Sequence, residues 1–70
     1  MSFERAIAIV GVGRSATIAD VTRAYRERIV KIHPDRLAGS APHILDDAKR
    51  MTQELNDAYS FLKREMAARR

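Results

Sequence analysis

Seventy residues make one small domain, with 13 basic and 9 acidic side chains and no cysteine. A chain this short buries a modest share of its surface and folds with little stability to spare. With no cysteine, neither a disulfide framework nor a thiolate zinc site can reinforce it. The longest apolar stretch, Ala6 to Val12, is too short to span a bilayer, and no pattern of an export signal is expected.

The net charge of +4 is unevenly spread. Residues 1–13 are neutral, residues 14–36 carry six basic and three acidic side chains, and residues 37–70 carry six against five. The middle of the chain is the positive end, which points to an acidic partner for that segment.

Phe3, Ile7 and Val10 are spaced for one face of a short helix over residues 3–10. Gly11 and Gly13 then supply a stop and a flexible connection. Thr17 with Asp20 three residues later has the form of a capping box, with aspartate replacing the usual Glu or Gln. Ile18, Val21, Ala24, Tyr25, Ile29 and Ile32 follow a 3.6-residue period, so a second helix is predicted over residues 18–32, ~22 Å long. Pro34 ends it, because proline pushes the residue before it out of the α region.

Asp35 to Pro42, with Gly39 and Ser40, has the composition of an exposed loop. A third helix should begin near Pro42, where a proline in the first turn costs little. Leu45, Ala48, Met51, Thr52, Leu55, Ala58, Tyr59 and Leu62 carry it at helical spacing to about residue 66, with the last residues expected to fray. No strand is expected. The fold class is all-α: two long helices packed as an antiparallel hairpin, with the first helix covering one open side. Ala24-Tyr25 and Ala58-Tyr59 fall on the inward faces. There alanine lets the backbones approach, and tyrosine fills space while keeping its hydroxyl near water.

The runs Ile9-Val10-Gly11-Val12, Val21-Thr22-Arg23-Ala24-Tyr25-Arg26, His33-Pro34-Asp35 and Asn56-Asp57-Ala58-Tyr59, taken in order, resemble the J-domain of DnaJ-like co-chaperones. The spacing agrees, including seven residues between Tyr25 and His33. A specified tripeptide arises by chance about once in ten thousand positions, and two Ala-Tyr pairs in register strengthen the match. Residues 1–70 are therefore read as one J-domain, excised from a longer protein. Arg36-Leu37, Ala48-Lys49 and Gln53-Glu54 resemble most the C-terminal J-domains of DjlA-type, membrane-anchored co-chaperones.

The chain also departs from the family pattern. Thr52 stands where DnaJ has phenylalanine, so Met51 is expected to fill the core there. Arg28 stands in place of leucine, its aliphatic stem snorkelling along the edge. Glu27 replaces a usually basic residue and lowers the positive potential of the binding face. The ordinary fourth helix has no clear counterpart.

The resemblance implies a co-chaperone, not an enzyme. It would bind the ATPase domain and interdomain linker of a DnaK-type chaperone and stimulate ATP hydrolysis by that partner. Asp35 would accept charge-assisted hydrogen bonds from a partner arginine. Pro34 would fix the turn and His33 would hold the loop and donate at the contact. Arg23, Arg26 and Lys31 would face an acidic patch, Tyr25 would touch the partner with its ring edge, and Arg36 would extend the positive surface. No cofactor, metal, nucleic-acid contact or direct membrane contact is expected of this segment. The expected state is a monomer in the cytoplasm, as the cytoplasmic part of an anchored parent if the DjlA likeness holds.

Plainer readings stand beside these. Pro34 alone is a helix stop, Asp35 alone a turn residue, Arg26 and Lys31 a solvated helix face, and His43 an exposed residue near a helix start. A hydrolytic set of His33, Asp35 and Ser40 would lie within eight residues of one loop, in a chain too small for an enclosed pocket with oxyanion donors. The spacing of His33, Asp35 and His43 matches no known metal site. A basic three-helix nucleic-acid binder is the more serious rival, but about nine residues join the long helices where helix-turn-helix uses three or four. A J-like scaffold that binds without stimulating is the remaining alternative, kept open by Glu27 and Arg28.

Overall fold

A computed structural model describes residues 1–32, 39 and 41–69. Three helices follow in order: α1 (Phe3–Val10), α2 (Ile18–Ile32) and α3 (Pro42–Ala68). The first two have the bounds predicted from the sequence.

Local chemistry sets these bounds. The Ser2 hydroxyl accepts from the Arg5 amide at 3.1 Å, satisfying one of the donors that a helix start leaves open. At the other end Gly11 takes a left-handed φ of 88°, which costs glycine little. Its amide and that of Val12 both donate to the Ile7 carbonyl, at 2.8 and 3.0 Å. The capping box of α2 forms in both directions: the Thr17 amide donates to Asp20 at 3.0 Å, and the Asp20 amide donates to Thr17 Oγ1 at 3.2 Å. Pro42 opens α3 in its first turn, where its missing N–H would have had no helical partner.

The core is Ala6, Ile7 and Val10 of α1, Val21 of α2, and Leu55, Ala58 and Leu62 of α3. Ala58 and Leu62 are fully buried, so α1 lies on the second half of α3. Val21 is the one buried residue of α2, and the rest of its inner stripe is half-buried or exposed. The small side chains at Ala6 and Ala58 allow close approach of the helices, and the branched ones fill the space between.

Several sequence expectations are corrected. The third helix runs to Ala68 instead of stopping near residue 66, because its end is tied down. Met66 packs against the core, and the Arg69 guanidinium lies over the Phe3 ring, 4.3 Å from its centroid. Met51 does not fill the place beside Thr52; it is 53% exposed. Ile18, expected in the α2 stripe, is exposed.

Candidate partner-binding surface

The outward face of α2 carries the candidate residues that the structure describes. Arg23, Arg26 and Lys31 are all exposed. Arg23 and Arg26, three residues apart, share one side of the helix, and Lys31, five residues beyond Arg26, lies on the flank that lines the groove towards α1. Glu27, also exposed, sits one turn from both Arg23 and Lys31 and interrupts the positive surface. A shallow depression on this face is lined by Ile18, Ala19, Thr22, Arg23, Arg26 and Glu27, giving the surface an apolar floor between basic side chains. His33, Pro34, Asp35 and Arg36 lie outside the described residues.

Tyr25 occupies an intermediate position, half-buried between the helices. Its ring stacks on Tyr59 with centroids 4.2 Å apart and planes 14° from parallel. Its hydroxyl donates to Asn56 Oδ1. Tyr59 in turn shares a hydrogen bond with Thr22 Oγ1 at 3.1 Å, and Lys63 lies over its outer face at 5.1 Å. The tyrosine hydroxyls are thus tied across the hairpin, not left to water as their amphipathic character suggested. Half-buried between two helices, each hydroxyl is better satisfied by a partner across the gap.

Sequence reasoning missed the roles of Thr22, Asn56 and Lys63 in holding this pair. The available signal was spacing: Asn56 precedes Tyr59 by three residues and Thr22 precedes Tyr25 by three, so each polar residue shares a helix face with a tyrosine.

At the start of α2, the Asp20 carboxyl is held below its ordinary pKa of 3.8, first by the Thr17 backbone amide, then by the Thr17 hydroxyl, with Arg23 adding a smaller attraction. A second groove, about 570 Å³, lies where the end of α1 meets α2 and α3, with Val10, Gly11, Arg28, Lys31, Met51 and Leu55 among its walls. Among the described residues no cluster of His, Asp and Glu could hold a metal ion. No described helix is long and apolar enough to cross a membrane. His43 is exposed at the start of α3.

Comparison with known proteins adds to this geometry. The profile of the DnaJ domain matches residues 7–70. The co-chaperone protein DjlA of Photobacterium profundum is 41% identical over 59 residues, spanning 81% of this chain and 21% of that protein. DjlA of Yersinia pestis is 36% identical over 66 residues, 91% of this chain and 24% of that protein. The chaperone protein DnaJ of Fusobacterium nucleatum subsp. nucleatum is 35% identical over 54 residues, 77% of this chain and 14% of that protein. The chain therefore spans about a quarter or less of the length of these relatives. No solved structure gives a significant match.

Proposed function

The chain belongs to the DnaJ domain family, and from that premise we propose that it is a co-chaperone module that docks on a DnaK-type chaperone and accelerates ATP hydrolysis by that partner. The observation that carries this reading is the course of α2. Its exposed basic side chains Arg23, Arg26 and Lys31 lead directly to Ile32, the last residue of the helix, and the chain continues into His33-Pro34-Asp35.

In this reading the domain does no chemistry of its own. The basic face of α2 attracts an acidic patch on the partner and raises the encounter rate more than the final affinity. Asp35 then accepts charge-assisted hydrogen bonds from an arginine near the partner's interdomain linker. Pro34 fixes φ and so limits the conformations from which that carboxylate must be selected. His33 steadies the segment and donates at the contact, and Arg36 carries positive charge past it. Tyr25, stacked on Tyr59, offers a rigid ring edge at small entropic cost. Bound to one conformation of the partner more tightly than to another, the domain shifts the balance towards the state that hydrolyses ATP. The short share of each relative that the chain covers supports its working as one module of a longer protein. The DjlA likeness supports a cytoplasmic setting.

Single-turnover ATP hydrolysis by a DnaK-type chaperone tests the proposal, with the wild-type domain and Asp35→Asn side by side. Acceleration by the wild type and its loss in Asp35→Asn is the expected result. A wild type that fails to accelerate at low salt overturns the reading, as does an Asp35→Asn variant that retains full activity.

A further inference from the structure

Arg28, exposed in the structure, stands one turn beyond Ala24 and seven residues beyond the buried Val21 on α2. A charged side chain has no obvious place in that stripe, and the structure shows where its charge goes. The guanidinium rests on Gly11, the residue that closes α1. A methyl group built on Gly11 would stand 2.8 Å from Arg28 Nε and 2.9 Å from its Cζ, so the missing side chain of the glycine is the space that the guanidinium occupies.

This seat has a definite electrostatic character. Gly11 is the C-cap of α1, and the C-terminal end of a helix is its negative pole, where a cation is stabilised. The contact also joins elements that are otherwise loosely tied. Val21 is the one buried residue of α2, and in the helix's last turn Ile29 and Ile32 are half-buried while Val30 is 53% exposed. Few apolar contacts hold that turn, and it is the turn from which the chain enters His33.

We propose that Arg28 is a positioning residue: its guanidinium, seated on Gly11 at the C-terminal pole of α1, holds the last turn of α2 in place and with it the start of the His33-Pro34-Asp35 segment. The inference rests on the co-chaperone reading for its functional consequence. Its structural half stands alone. Arg28 acts through α2 and does not itself have to touch the partner.

The test compares Arg28→Met, which keeps an apolar stem without the charge, with Arg28→Lys, which keeps the charge. Hydrogen exchange of the Val30, Lys31 and Ile32 amides is read first, in the 70-residue chain without any partner. Exchange should rise about two- to fivefold in Arg28→Met, the scale of a lost charge–dipole contact, and return towards wild type in Arg28→Lys. Unchanged exchange in Arg28→Met overturns the proposal, whatever the chaperone assay shows.

In that assay Arg28→Met should lower the maximal ATPase stimulation and leave the half-stimulating concentration within about twofold, because the defect is one of geometry. A rise in the half-stimulating concentration alone would mean that Arg28 contacts the partner directly, and would also overturn it. Thermal melting of each variant identifies simple loss of fold, and equal loss of activity in a folded Arg28→Lys counts against the positioning role. If the wild type does not stimulate at all, the co-chaperone reading fails while the exchange result still decides the role of Arg28 in the fold.

Discussion

Thr52 Oγ1 is buried without a hydrogen-bond partner among the described residues. The resemblance implies phenylalanine at this position, and Met51 next to it turns outward with 53% of its surface exposed. The hairpin at this level therefore holds a small polar side chain where a large apolar one would fill space. Replacing the hydroxyl by a methyl of the same shape removes an unmet polar group without opening a cavity. Thr52→Val should stabilise the domain by about 1 kcal/mol, a rise of several degrees in Tm for a chain of this size, read by thermal melting. Asp20 gives a second residue-scale expectation. Its folded pKa lies below the ordinary 3.8 because the Thr17 amide donates to the carboxylate, with a further lowering from the Thr17 side chain beside it. A depressed folded value means that the cap's contribution is complete above the unfolded pKa and is lost as pH falls through the folded one. A carboxyl titration followed by NMR should place the Asp20 midpoint below 3.8, and Asp20→Asn should flatten the acid loss of stability in that window. A midpoint at or above the ordinary value would contradict the capping account.

Between elements, the stacked pair Tyr25–Tyr59 joins α2 to α3 beside the core. Its rings are close and nearly parallel, and each hydroxyl is held by the opposite helix. A double-mutant cycle with Tyr25→Ala, Tyr59→Ala and the pair, measured by urea unfolding, should give a coupling of about 0.5–1.5 kcal/mol. A coupling near zero would show that the rings fill space independently. The same elements show what the sequence made legible. The bounds of α1 and α2 could be read because chemistry fixed both ends: Gly11 needs its positive φ, and Thr17 and Asp20 form a reciprocal cap. The end of α3 could not, because one of the contacts that hold it, Arg69 over Phe3, joins residues 66 positions apart, and the packing of Met66 on the core is likewise tertiary. The choice of Arg23, Arg26 and Lys31 came from the family resemblance, while the positive character of the middle of the chain could be read from its charge count. The seat of Arg28 could not, since nothing in its neighbours announces a glycine seventeen residues upstream. Periodicity likewise identified Ile18 and Met51 as apolar positions without saying that the packed helices leave them exposed.

At the scale of the molecule, the positive surface of α2 is a field as much as a set of contacts. Arg23, Arg26 and Lys31 stand exposed around Glu27, with charges close enough to act together at low salt. The Debye length is about 10 Å at 0.1 M and about 3 Å at 1 M, so their joint attraction for an acidic partner should fade over that range. If the co-chaperone reading holds, the association rate with a DnaK-type chaperone should fall steadily with ionic strength. Glu27→Gln removes the opposing charge and should raise the low-salt association rate by about twofold, whereas Arg26→Gln should lower it by a similar factor. The two variants should converge on the wild type near 1 M salt, where only short-range contacts discriminate. Asp35→Asn should behave differently, losing ATPase stimulation at every salt concentration while keeping most of the salt slope, because a hydrogen-bonded contact acts after encounter. Stopped-flow association over a salt series separates these behaviours. A rate indifferent to salt, or a Glu27→Gln variant slower than the wild type, would mean that α2 meets its partner by shape and not by charge.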